Sequence, residues 1–399
     1  STYNNGYLVD NNRPLSISAP GMVSSNYTWE EVTSQNIGLD IELLESKLQF
    51  NLDLYTRDTE GMLTLGKELP SVLGTSEPNE NAADLRTKGW EVAVNYRDNV
   101  NFLNDRLSFG ARLTLADAQS EITSFDNPNQ NLNQYYVGAQ IGEIWGLTVD
   151  GFFESEEEIT NSPDQSSMVP WGAIPTTVGS IKFADINGDG VITKGTTVAD
   201  PGDMKVIGNS EARYRFGINL DFNYKGFDVQ TFFQGIGKRD YYPFHYVFWG
   251  FHQQPYNGGF THLLDYYRAA DDSPEAMSQH SQKYIDMGLA NANTDSRYPV
   301  LQAWNMDVNT YGAGSTPNDK YLLDASYLRW KNLTIGYRLP GEIIQSLGLS
   351  QVRVYLSGEN LMEWSEISDI VDPEAVTNNG RGYVYPFQRR YSLGINVQF

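Results

Sequence analysis

Cysteine is absent from the 399-residue chain, which excludes a disulfide framework, a thiol nucleophile and any Cys-based metal site. Long apolar runs are also lacking, and mean hydropathy is negative. That rules out membrane-spanning helices, though not strands, whose alternating signal is weak. Basic residues are scarce: 28 Lys and Arg stand against 50 Asp and Glu, a net charge of −22. Such a surface repels phosphate backbones, so nucleic acid is not an expected partner, whereas divalent cations and small basic molecules are attracted. Only four histidines occur, His245, His252, His262 and His280, with neither i, i+4 spacing nor an HExxH motif; they read as loop packing. GxSxG, P-loop and dinucleotide fingerprints are missing, and no enzyme is expected. The start, Ser1-Thr-Tyr-Asn, is polar and has no signal-peptide pattern; a mature chain or a piece of a longer one is expected.

Aromatics are plentiful, at 13% of residues, with 25 Tyr, 18 Phe and 8 Trp. Interfacial girdles need such rings, and so do carbohydrate-binding modules. The last nine residues show the pattern most clearly. Tyr391, Leu393, Ile395, Val397 and Phe399 alternate with Ser392, Gly394, Asn396 and Gln398. A period of two puts the first set on one face of a strand, as a wall between hydrocarbon and a wet lumen requires.

The same alternation predicts about nine strands. Apolar faces fall at Ile37–Leu43, Leu48–Leu54, Trp90–Tyr96, Leu107–Leu115, Tyr214–Phe222 and Phe227–Phe233. Three more follow: Tyr327 with Leu333, Ile335 and Tyr337; Val352–Leu356; and the terminal strand. Their connections alternate between short and long. Short turns are expected near 45, 100, 225 and 340, the last a helical turn at Pro340–Ile344; long excursions are expected over 59–84, 118–210, 238–320 and 362–383. Outer-membrane barrels segregate short turns and long loops in this way. The expected fold is all-β, a transmembrane antiparallel β-barrel with long extracellular loops. Nine is an odd number and too few for loops of this size, so the chain reads as part of a larger barrel. Arg112, Arg215, Asn219, Arg338 and Arg353 are expected to face a polar lumen.

Several stretches resemble SusC/RagA-type TonB-dependent outer-membrane transporters. They are Tyr27–Glu30 with Asn36–Asp40, Leu85–Glu91, Ile144–Leu147 with Asp150–Phe153, Phe183–Gly190 and Val206–Asn209. Tyr224–Asp228 with Phe232–Gly235, Tyr327–Leu333, Ser357–Leu361 and the terminal strand complete the set in the family's order. The resemblance implies a barrel of about 22 strands, of which residues 1–399 would be roughly the C-terminal two-fifths. The family's plug, TonB box and N-terminal extension have no counterpart here. It further implies an integral outer-membrane protein, a SusD-like surface lipoprotein as lid, energy from the TonB complex through the missing N-terminal part, and oligosaccharides or peptides as cargo. In that family the terminal aromatic strand, here Tyr391, Leu393, Ile395, Val397 and Phe399, serves as the membrane-insertion signal.

Two constellations call for site readings. Asp185, Asn187, Asp189, Val191 and Thr193 follow the first part of an EF-hand loop, with glycine at Gly190. Thr196 stands where a bidentate Glu belongs, and Asp200 or Asp203 would have to supply that carboxylate. A structural Ca²⁺ or Mg²⁺ is one reading; an ion-free Asx-rich turn is the other. The second constellation is the aromatic stretch containing Phe248, Trp249, Phe251 and Tyr256, suited to stacking on sugars or peptide side chains, or else to loop packing and contact with a lid protein. Trp145, Trp171 and Trp304 bear the same pair of readings, and Glu154–Glu158 reads as a solvated acidic loop. Two other functions stay open beside transport: a soluble secreted glycan-binding or adhesion module with a calcium loop, and a transporter-fold subunit of an outer-membrane assembly complex without import. The direction of the terminal strand's apolar face separates the first of these from a barrel.

Overall fold

Alternating apolar and polar residues can satisfy a sheet only if its two faces meet different surroundings. The computed structural model shows such a sheet; it describes residues 2–4, 15–17, 22–24, 27–66, 72, 77–168, 175–269, 273–304, 316–345, 348–376 and 387–399. Nine long strands form it: β1 (Glu31–Leu43), β2 (Leu48–Leu65), β3 (Asn79–Phe102), β4 (Asp105–Phe125), β5 (Arg213–Tyr224), β6 (Phe227–Lys238), β7 (Tyr327–Arg338), β8 (Gln351–Trp364) and β9 (Arg390–Gln398). Each pairs antiparallel with its neighbour in chain order, from β1 at one edge to β9 at the other. Among the described residues no helix is long and apolar enough to cross a membrane.

The short connections have the geometry that tight hairpins demand. Leu103 and Asn104 take φ of 47° and 64°, and Lys225 and Gly226 take 47° and 83°. Positive φ at both central residues matches the right-handed strand twist. The turn after β7 is the expected helical one, Gly341–Gln345.

The strands outrun the expectation at their other ends. β3 holds 24 residues and β4 holds 21, whereas about 9–11 tilted residues suffice to cross a bilayer. The excursions therefore shrink to 66–78 and 126–212. Beyond the membrane both faces of a strand meet water, so segments such as Asp58-Thr59-Glu60 carry no apolar alternation to reveal them. A second correction concerns β7. A bulge between Trp330 and Asn332 shifts the phase of the strand. Tyr327 consequently pairs with Ile236 and lines the polar side with Arg215, not the face of Leu333, Ile335 and Tyr337.

Above the wall the long excursions pack on each other. Leu147, Phe183 and Ile192 from one excursion share a core with Phe248, Trp249 and Tyr298 from the next. The last excursion is anchored separately. Buried Arg329 of β7 holds Asp372 at 2.8 Å and Glu374 at 3.3 Å, and Glu363 joins the same guanidinium. Ile367 and Val371 pack there against Tyr241 and Ala325.

Candidate functional site: a two-faced wall and its loop cap

Register converts the alternation into rows running across the sheet. One outward row reads Ile41, Phe50, Val94, Leu113, Ile218, Phe233, Trp330 and Met362, eight apolar residues from eight consecutive strands. Phe233 and Trp330 stack at 5.5 Å in it. A row on the opposite face reads Glu42, Gln49, Asn95, Arg112, Asn219, Phe232, Asn332, Glu359 and Arg390. Arg112, Arg215 and Asn219 line a cleft of about 630 Å³ on this polar face. Arg353 reaches across Gly336 to Asp228 at 2.9 Å.

The terminal strand continues the outward face. Val397, Ile395, Leu393 and Tyr391 pair with Val352, Val354, Leu356 and Gly358. Leu393 is 76% exposed and Phe399 90%, and among the described residues nothing stacks over them as a second sheet would. Near the short turns the outward face turns aromatic: Phe102 meets Tyr224 at 5.7 Å and Phe227 meets Tyr337 at 4.5 Å. The Lys225 ammonium lies 5.4 Å from the Tyr224 ring. Such rings beside turn cations form the belt expected at a membrane interface. Composition announced girdle rings, but only pairing gathers these four at one level.

The loop candidates divide. Phe248 and Trp249, at 0% and 1% exposure, are sealed in the loop core, where the Trp249 indole N–H donates to the Pro243 carbonyl at 2.6 Å. Neither offers a face to a ligand; they are packing. Phe251 and Tyr256 stay accessible, and Tyr256 (73% exposed) meets Trp304 edge-on at 6.0 Å. Trp171 lies outside the described residues. His245 caps the short helix Tyr246–Trp249, its Nδ1 accepting from the Phe248 N–H at 3.3 Å. His252 and His262 flank Tyr298 within the core, and His280 stacks on Tyr284. The Glu154–Glu158 stretch starts a helix, with Glu158 bonded to Lys182 at 2.9 Å.

The Asp185 loop is closed by its own hydrogen bonds. Asp185 accepts from the Gly188 and Gly190 N–H groups at 2.7 and 2.9 Å, which hold its carboxyl below the usual range. Asp189 accepts from Val191 N–H at 2.9 Å, and Asn187 Oδ1 from Asp189 N–H at 3.0 Å. Fully buried Asp203 clamps both ends, accepting from Ile186 and Thr193 N–H groups at 2.8 and 2.7 Å. The oxygens suit a hard cation chemically, yet among the described residues no three His, Asp or Glu side chains converge as a cage. Both oxygens of Asp203 accept from backbone N–H groups.

An open antiparallel wall, apolar outside, polar inside and capped by large loops at one end, is part of a transmembrane β-barrel. Residues 1–175 match the family described as TonB dependent receptor-like, beta-barrel. The chain is 26% identical to TonB-dependent receptor P3 of Formosa agariphila, over 94% of this chain and 35% of that protein. It is 22% identical to TonB-dependent receptor SusC of Bacteroides thetaiotaomicron, over 96% of this chain and 33% of that protein. A solved structure of the RagAB peptide transporter shares the fold with a TM-score of 0.65, at 21% identity, covering 100% of this chain and 38% of that one. The chain therefore spans a little over a third of the length of the relatives it matches. Over nearly its full length the chain is thus similar to proteins named TonB-dependent receptors, and its first 175 residues carry the beta-barrel of that kind.

Proposed function

We propose that the protein to which this wall belongs imports peptides or oligosaccharides across the outer membrane, under a SusD-like lipoprotein lid and with energy from TonB. The supporting observation is the pairing of a lipid-facing strand wall with a large packed loop cap, in a chain akin to receptors named for TonB dependence. A passive pore has no need of so large an ordered superstructure above the wall. Deleting the gene in the host and measuring uptake of labelled oligopeptides and oligosaccharides tests the reading. Loss of uptake of either class, reproduced by disabling TonB, is expected. Unchanged uptake of both after deletion, in a host whose parent strain displays the barrel at its surface, would favour the assembly-scaffold role instead.

For the terminal strand we propose the insertion role. Removing Phe399 from the full-length protein is expected to lower its surface level, read by protease shaving and heat-modifiable migration. Normal surface levels would contradict it. For the Asp185 loop we propose the self-closed turn, with exposed Phe251 and Tyr256 as the remaining aromatic candidates for cargo or lid.

A further inference from the structure

A cavity of about 690 Å³ lies where the outer ends of β2 and β4 meet the 132–145 segment. One side of it is apolar and aromatic, built by Leu65, Phe125, Leu132, Tyr135 and Trp145. Phe125 and Tyr135 stand edge to face at 5.9 Å there. Three carboxylates, Glu77, Glu143 and Glu211, share the lining with polar residues such as Asn133 and Gln134, and among the described residues no Lys, Arg or His contributes to it. Glu143 is fixed by neighbours: the Trp145 indole N–H donates to it at 2.9 Å, the Gln140 backbone N–H at 3.3 Å, and the Tyr136 hydroxyl also donates. The place is also contiguous with the polar face. Gln140, Ile141 and Glu211 are shared with a smaller cavity that reaches Arg213 and Arg215, and Arg215 in turn lines the inner cleft.

A roomy cleft with three carboxylates and aromatic walls, with Arg239 and Arg213 only at its Glu211 margin, is complementary to a ligand that is both cationic and apolar. We propose that it is a subsite for basic, amphipathic peptide segments: an ammonium or guanidinium engages Glu211 and Glu143, while an adjacent apolar side chain packs on Phe125, Tyr135 and Trp145. This rests on the import reading above and narrows its cargo class. A neutral oligosaccharide would stack on the rings but bring no cation to Glu77 and Glu211, and an acidic peptide would be repelled.

Calorimetry on the full-length protein with its native partner, in detergent, tests the assignment with Lys-Phe-Lys, Glu-Phe-Glu and maltotriose as probes. Lys-Phe-Lys is expected to bind at least about tenfold more tightly than Glu-Phe-Glu, and to weaken as ionic strength rises. Glu211→Gln, at an exposed position, is expected to weaken the basic probe by roughly tenfold while leaving the melting temperature unchanged. Glu143→Gln is a second variant; because its carboxylate holds three donors, its folding is checked first by circular dichroism. Equal binding of the two peptides, tighter binding of maltotriose, or unaltered basic-peptide affinity in Glu211→Gln would each overturn the proposal. Whole-cell uptake is scored separately. Absent import with a retained basic preference would fault the transport reading and not the cleft; import without that preference would fault the cleft alone.

Discussion

Gly394 and Gly89 each lie beneath a tyrosine ring on the polar face. A Cβ on Gly394 would stand 2.2 Å from Tyr355 Cζ, and one on Gly89 would stand 2.3 Å from Tyr55 Cζ. The rings cover backbone that would otherwise be bare, and alanine must push them off their rotamers. Gly394→Ala is expected to lower stability by about 1–3 kcal/mol, read by denaturant unfolding of the micelle-embedded protein; the double variant with Tyr355→Ala should lose less than the sum. The two faces differ sharply in what they accept. Leu113→Arg sets a charge in the outward row and is expected to cost about 2–4 kcal/mol near the bilayer centre. Asn95→Arg, across the sheet in the polar row, is expected to change stability by less than about 1 kcal/mol. Equal costs would mean that the faces are not distinct. Period-two spacing gave away the facing of Leu113 and Leu393, since each neighbour alternates without exception. The same spacing misassigned Tyr327, because one extra residue in a bulge inverts everything before it, and nothing local to Lys331 announces that.

At the scale of elements, the strands were legible only where lipid touches them. Outer extensions such as Asn79–Leu85 have polar residues on both sides and read as loop. The loop core was legible as aromatic richness but not as packing: Phe248 and Trp249 look like ligand platforms until the neighbouring excursion closes over them. That core has a pH limit. Burial pushes His245 and His252 down to about 4 from an ordinary 6.5. Between those values the unfolded loops bind more protons than the folded ones. Stability is thus full above about pH 6.5 and falls as pH drops toward 4, by about tenfold in the opening equilibrium per pH unit for each histidine. Hydrogen exchange over 242–268 should accelerate through that window, and His252→Phe should flatten the response. The Asp185 loop behaves otherwise. With its N–H groups already satisfied by Asp185, Asp189 and Asp203, the loop is expected to keep its melting temperature and its hydrogen exchange on adding EDTA; a drop in either that Ca²⁺ restores would reveal a bound cation.

For the whole molecule, the open edges at β1 and β9 matter as much as the strands between them. Among the described residues neither edge has a partner strand on its outer side, and lipid cannot satisfy the backbone groups left there, so in a membrane both edges must be paired. The chain spans about a third of the length of the SusC relative. What could not be read is how the cleft at the mouth forms, because Phe125, Trp145 and Glu211 come from three separate stretches with no pattern linking them. The central claim is that the apolar rows face lipid. This stretch lacks cysteine, so single spin labels can be introduced at Leu393, Ile218, Asn396 and Asn219 of the full-length protein in bilayers and their collision rates compared for oxygen and a water-soluble nickel chelate. Labels at Leu393 and Ile218 should favour oxygen strongly, and those at Asn396 and Asn219 the chelate. Chelate access at Leu393 and Ile218 equal to that at the asparagines would contradict it.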